Sequence, residues 1–214
     1  MFYLYLVIAL IVGYLMGSIP TSLIISKNKF HIDIRDYGSK NLGGTNTGRV
    51  LGRKWGALTY VLDAAKTALP IMIISLILRK LNVEDYEAIA LTTGCASLIG
   101  HCYPLFAQFK GGKAVACSFG FLLATNWLLF IVALLIIAAI VLVKKYVSLG
   151  SMVSVFMASV LSLFPPFRDT MNFYLNEYNA MYTLTLFVIT AFVVVRHKKN
   201  IIRLLKGEEP KVNI

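Results

Sequence analysis

The stretch GKAVACSFGFLLATNWLLFIVALLIIAAIVLV, from Gly112 to Val143, decides the fold. Its apolar character over about thirty residues marks it as membrane-embedded, yet as one helix it would measure about 45 Å, against a hydrocarbon core of roughly 30 Å. Thr125, Asn126 and Trp127 interrupt it with two polar residues and an interfacial aromatic. Two shorter helices meeting near Asn126, over 112–125 and 127–143, are the alternative to one steeply tilted helix.

Charges outside the stretch choose between the two. Further apolar runs at about 2–26, 55–78, 88–107, 148–167 and 180–195 predict membrane spans. With two helices in 112–143 there are seven spans, and 17 of the 21 Lys and Arg residues fall on one side. Arg79, Lys80 and Arg168 fall on the other, and Lys66 lies inside a span. With a single helix the later loops change sides and the division becomes 10 against 10, which is no bias. The positive-inside rule therefore predicts seven helices, the N-terminus outside and the C-terminus in the cytoplasm. On the outer side the acidic residues Glu84, Asp85, Glu87, Asp169 and Glu177 outnumber the cations.

Composition agrees. Of 214 residues 58% are hydrophobic and 14% charged, whereas a soluble domain averages roughly 45–50% and 25%, so a soluble globular fold is excluded. The net charge of +11 would suggest nucleic acid in a soluble protein, but its one-sided distribution assigns it to membrane orientation, and no nucleic-acid partner is expected. The first cation is Lys27, so the N-terminal run lacks the basic region of a secretory signal and is read as a retained first span. No repeat or linker divides the chain, and residues 1–214 are expected to form a single membrane-embedded domain. Cys95, Cys102 and Cys117 show no metal or redox spacing and are read as packing residues; no metal and no cofactor is expected.

Three polar clusters share the cytoplasmic side. GSKNLGGTNTGR, from Gly38 to Arg49, holds four glycines, the short polar side chains of Ser39, Asn41, Thr45 and Asn46, and one guanidinium, more than a connector needs and apt for an anion. GHCYPLFAQFKGGKA, from Gly100 to Ala114, ends in Gly111, Gly112 and Lys113 just before an apolar helix, where helical N–H groups and an ammonium converge on phosphate. It is not a P-loop, which would need glycine where Ala107 stands and a hydroxyl where Ala114 stands. RHKKNIIRLLKG, from Arg196 to Gly207, reads as an interfacial amphipathic helix, with His197 and Asn200 on one face. Asp63 and Lys66 are spaced to pair inside a span, and Gly13 and Gly17 form a GxxxG packing face. His31 and Asp36 match the H-x4-D pattern of many acyltransferases, but a chance match is common and the downstream context is missing.

Together the clusters resemble the polytopic bacterial glycerol-3-phosphate acyltransferases that use acyl phosphate, the PlsY family. That family's patterns G-S-G-N-x-G-A-T-N-x-x-R, G-H-x-F-P-x-F-x-x-F-K-G-G-K-G-V-A and R-H-x-x-N-I-x-R-L-x-x-G-x-E meet GSKNLGGTNTGR, GHCYPLFAQFKGGKAVA and RHKKNIIRLLKGEE in the same order. The resemblance implies a seven-helix fold in the bacterial cytoplasmic membrane, with the active site on its cytoplasmic face. It implies transfer of a fatty acyl group from acyl phosphate to the 1-hydroxyl of sn-glycerol 3-phosphate, giving lysophosphatidate and phosphate in phospholipid biosynthesis. Membrane lipids and an upstream enzyme that makes acyl phosphate are the implied partners.

By the same resemblance His197, Asn200 and Lys113 are candidate catalytic residues, with His197 as general base. Ser39, Asn41, Asn46, Arg49, His101, Gly111 and Gly112 are candidate substrate-binding residues. Ser39, Arg49 and Lys113 take the glycerol phosphate group, and Gly111 and Gly112 make backbone contacts near the acyl phosphate. The chain departs from the patterns at Lys40 and Ala114, which replace glycines, at Gly44, which replaces alanine, and at Tyr103, which replaces phenylalanine. Two other functions stay open from sequence: a membrane carrier of phosphorylated anions, and a diverged paralogue acylating another phosphorylated alcohol.

Overall fold

The structure, a computed structural model, describes residues 1–170 and 180–212. Glu177, counted above among the outer acids, lies outside the described residues. The named elements among them are all α- or 3₁₀-helices, and by compactness the chain divides into residues 1–124 and 125–214.

The first unit contains α1 (Phe2–Gly17), α2 (Thr21–Phe30), α3 (Gly44–Leu51), α4 (Arg53–Lys80), α5 (Tyr86–Cys102) and all but the last residue of α6 (Val115–Thr125). The first apolar run is therefore not one helix. It breaks at Ser18, Ile19 and Pro20, where proline removes an N–H and disfavours helix at the residue before it. The GxxxG face does what its spacing predicts. A Cβ at Gly17 would come within 2.7 Å of Ser97 Cα, and one at Gly13 within 3.0 Å of Ala96 Cβ, so α1 and α5 pack backbone to backbone. In the same way Gly48 of α3 and Gly56 of α4 let those two helices touch, a Cβ at Gly56 standing 2.6 Å from Gly48 Cα. Ile71, Ile89, Leu98, Phe121 and Leu122 are fully enclosed.

The second unit holds α7 (Trp127–Lys144), α8 (Val147–Leu161), the single turn α9 (Pro165–Arg168), α10 (Ala180–Arg196) and α11 (Lys198–Leu205). The break in Gly112–Val143 falls at Asn126. Its Oδ1 caps α7 by accepting the Leu129 N–H at 2.9 Å, and its Nδ2 donates to the Phe167 carbonyl at 2.7 Å, so a buried amide is satisfied where a long helix would have left it stranded. α8 and α10 are joined by hydroxyl pairs, Ser159 with Thr190 at 2.7 Å and Ser162 with Thr183 at 2.9 Å, the polar cement that helices use in lipid. α10 and α11 bend by 63° at His197, and α11 carries Ile201, Leu204 and Leu205 as the amphipathic pattern required.

Among the described residues four helical segments are long and apolar enough to cross a membrane, namely 2–30, 53–80, 86–107 and 127–144, and five if α10 with α11 counts as one span. α6 has 11 residues and α8 has 15. The span expected over 148–167 ends as a helix at Leu161, because Pro165 and Pro166 cannot continue it although hydropathy runs on.

Candidate active site

The first two sequence clusters meet in the first unit. After α2 ends at His31 in the left-handed conformation, the chain runs through a 3₁₀ turn at Ile34–Asp36 and a loop into α3. Leu23, Ile34, Leu42 and Ala107 bury one another, which fixes this loop on the segment that follows α5. Asp33 braces it from outside, accepting the Arg35 backbone N–H at 3.0 Å and its guanidinium at 2.9 and 2.6 Å. The Arg35 hydrogen bond, with its charge nearby, holds the Asp33 carboxyl down at about 2 despite partial burial.

Asn46, in the first turn of α3, is buried and faces the loop that precedes it. Its Oδ1 accepts the Ser39 N–H at 2.8 Å and its Nδ2 donates to the Tyr37 carbonyl at 3.2 Å. In these bonds it holds the preceding loop, while Ser39 is exposed and Asn41 half-buried. Arg49 lies exposed in the last turn of α3. Thr45 hydrogen-bonds Tyr60 of α4, and Gly44 lies against that ring, a Cβ there standing 2.6 Å from Tyr60 Cδ2.

The paired glycines have a packing reason. A Cβ at Gly112 would collide with the His101 ring and stand 2.6 Å from the Leu42 carbonyl oxygen; one at Gly111 would stand 2.7 Å from the Cys102 oxygen. The Gly112 N–H donates to the His101 carbonyl at 3.0 Å, so in this structure it is engaged within the loop rather than facing outward. His101 is correspondingly buried between Gly112 and Asp63, a support for the loop rather than a group on its surface. Lys113 is half-buried and follows directly. The two replaced glycines, Lys40 and Ala114, both keep left-handed backbone, with φ of 59° and 63°.

His31 and Asp36 are both exposed, and no hydrogen bond or ion pair joins them. Asp63 and Lys66 do pair, at 2.8 Å, and both are buried. None of the three cysteines forms a disulfide among the described residues.

The third cluster belongs to the second unit. His197 sits at the bend before α11 with Nδ1 2.8 Å from the Val193 carbonyl oxygen. A carbonyl only accepts, so Nδ1 carries the hydrogen and, in the neutral ring, Nε2 holds the lone pair. Asn200 is fixed by a residue that sequence reasoning did not single out. Glu209 Oε1 accepts from Asn200 Nδ2 and from Ser148 Oγ, each at 2.7 Å, and its Oε2 accepts Arg203 Nε at 2.7 Å. Burial alone would raise the Glu209 carboxyl, but these three donors outweigh it and hold the group below its ordinary value. Its place at the end of the RHKKNIIRLLKGEE pattern was the available signal. Chemically, the first unit offers cations and short polar groups around a glycine-walled loop, and the second an imidazole with a defined acceptor nitrogen.

Known proteins resemble this chain over nearly its whole length. The family described as glycerol-3-phosphate acyltransferase matches residues 7–207. A glycerol-3-phosphate acyltransferase of Listeria welshimeri is 41% identical over 211 residues, covering 97% of this chain and 96% of the relative; one of Geobacillus kaustophilus is 38% identical over 203 residues, covering 95% and 94%. Among solved structures, the glycerol 3-phosphate form of PlsY (YgiH), an integral membrane glycerol 3-phosphate acyltransferase, superposes with a TM-score of 0.84 at 33% identity, covering 97% of this chain and 96% of that one. Its lysophosphatidic acid form gives 0.81 at 32% identity, covering 97% and 95%.

Proposed function

This chain belongs to the PlsY family of glycerol-3-phosphate acyltransferases, α-helical integral membrane enzymes, and from that premise we propose that it acylates the 1-hydroxyl of sn-glycerol 3-phosphate with acyl phosphate as donor. Lysophosphatidate and phosphate are the products. The observation that carries this reading is the packing of the Gly38–Arg49 segment, through Leu42, on Gly112, which joins two phosphate-type clusters into one.

Both substrates are phosphate anions, so cations are what their site requires. We assign Ser39, Arg49 and Lys113 to the glycerol phosphate group, with Asn41 beside them, and Gly111 to a backbone contact near the acyl phosphate. Asn46, His101 and Gly112 shape the loop. The glycerol oxygen attacks the acyl carbon, the bond from that carbon to the phosphate oxygen breaks, and phosphate leaves. His197 Nε2 takes the hydroxyl proton and returns it to the departing phosphate, and Asn200 orients substrate. Acyl phosphate is already activated, so the enzyme's share is positioning and charge neutralisation, without an acyl-enzyme.

Residues 1–214 act as one membrane-embedded domain with seven membrane segments, N-terminus outside and the site at the cytoplasmic face of a bacterial membrane. The charge bias of 17 cations in 21 supports that orientation. An upstream enzyme must supply the acyl phosphate.

Single-turnover reaction with labelled acyl phosphate, quenched and resolved on a gel, tests the direct attack. No protein-bound acyl group is expected, and a covalent acyl-enzyme would refute it. Arg49→Ala and Lys113→Ala should each lower activity by about a hundredfold or more, and near wild-type turnover in either would refute the phosphate assignment.

A further inference from the structure

One buried charge cluster of the first unit is not used by the chemistry above. Asp63 and Lys66, one turn apart on α4, are 1% and 5% exposed, with Nζ 2.8 Å from Oδ1. Thr21 Oγ1 donates to the same carboxylate oxygen at 2.5 Å, Lys66 also donates to the Ile19 carbonyl at 2.8 Å, and the Asp63 carbonyl accepts the Cys117 thiol at 3.3 Å. His101, itself 6% exposed, stands with Nδ1 3.7 Å from Asp63 Oδ1. The Asp63–Lys66 pair thus gathers the break after α1, α4 and the end of α5, and the Asp63 backbone carbonyl adds α6. On its far side the His101 ring lies against Gly112, and the His101 carbonyl accepts the Gly112 N–H at 3.0 Å.

An ion pair inside an apolar bundle is a poor way to stabilise packing. Apolar residues of similar volume often serve as well or better, whereas a buried charge left alone is strongly destabilising. A pair kept for packing could therefore be replaced as a pair with little consequence.

We propose that the Asp63–Lys66 pair is a positioning element of the phosphate site. Asp63 fixes the His101 ring, the ring fixes Gly112, and Gly112 sets where the Lys113 ammonium stands. This rests on the assignment of Lys113 to the glycerol phosphate group. Neither Asp63 nor Lys66 touches substrate.

The informative variant is the neutral double replacement, Asp63→Asn with Lys66→Met, which keeps an acceptor for Thr21 and leaves no charge uncompensated. Purified wild-type and double-variant protein are compared by thermal melting, by calorimetric titration with glycerol 3-phosphate in the absence of any acyl donor, and by KM for each substrate. The expected result is a melting temperature within about 3 °C of wild type. The dissociation constant and KM for glycerol 3-phosphate should rise about tenfold or more, with KM for the acyl donor changed less than about threefold. A folded double variant that binds glycerol 3-phosphate like wild type overturns the positioning role. So does one that loses both substrates together with its melting transition, or fails to fold, since the pair is then structural. Wild-type protein that binds no glycerol 3-phosphate would overturn the functional reading on which the proposal rests.

Discussion

The His101 ring and the Cα of Gly112 are in contact, and the Gly112 N–H donates to the His101 carbonyl at 3.0 Å. No side chain fits between them. Gly112→Ala must displace either the ring or the loop that ends in Lys113, and a misplacement of about 1 Å at a binding group costs on the order of a hundredfold in rate. Activity at sub-saturating glycerol 3-phosphate should fall by about that factor in a protein that still folds, and an alanine variant with wild-type kinetics would refute the packing account.

Lys40 holds a left-handed φ of 59° on an exposed loop, in a position where the family's pattern has glycine. An L-residue is disfavoured there by roughly 1–2 kcal/mol, and glycine returns about half of the relief through its unfolded-state entropy. Lys40→Gly should therefore stabilise by about 0.5–1 kcal/mol, raising the melting temperature, whereas Lys40→Val should lower it. Equal melting curves for the two variants would contradict this.

Asp33 gives the clearest pH dependence outside the spans. Its carboxyl lies at about 2, below the ordinary 3.8, first because Arg35 donates to its side chain. A depressed carboxyl contributes stability that is complete above the ordinary value and is lost as pH falls through the folded one. Melting temperature should decline between pH 3.8 and about 2 more steeply in wild type than in Arg35→Ala. Parallel curves in that window would show that the bond adds nothing.

Much of this architecture was legible in the sequence, and the rest was hidden for identifiable reasons. Asn126 announced a helix break because a polar pair inside an apolar run needs partners, and the cap it provides is what such a residue does best. Gly13 and Gly17 announced a close helix contact through their spacing. Asp63 and Lys66 could be paired from their separation alone, but Thr21, 42 positions from Asp63, could not be added without the fold. Hydropathy overran α8 because it does not sense that Pro165 and Pro166 end a helix at Leu161. In the site, cations and glycines read as a phosphate set, and sequence could not show that Asn46 and His101 also hold loop backbone, through bonds and packing that only the fold brings together. Glu209 was missed because an acid in a basic tail reads as solvated, and its partner Ser148 lies 61 positions away.

Glu209 is that tail's anchor. Glu209→Ala leaves Ser148 and Asn200, both buried, without their shared acceptor and should cost roughly 1–3 kcal/mol, seen as a lower unfolding midpoint. Because Asn200 then loses its orientation, activity should fall even where the protein remains folded. Unchanged stability would show that the carboxylate is not what fixes Asn200.

By the proposed mechanism this single chain joins glycerol 3-phosphate to an acyl group delivered as acyl phosphate. Purified protein in lipid should be given labelled glycerol 3-phosphate and palmitoyl phosphate, with no other acyl donor and no other protein, and the lipid product and released phosphate measured. The prediction is labelled 1-acyl-glycerol 3-phosphate and phosphate in equal amounts. Absence of that product, with acylation appearing only when an acyl thioester replaces acyl phosphate, would contradict the account.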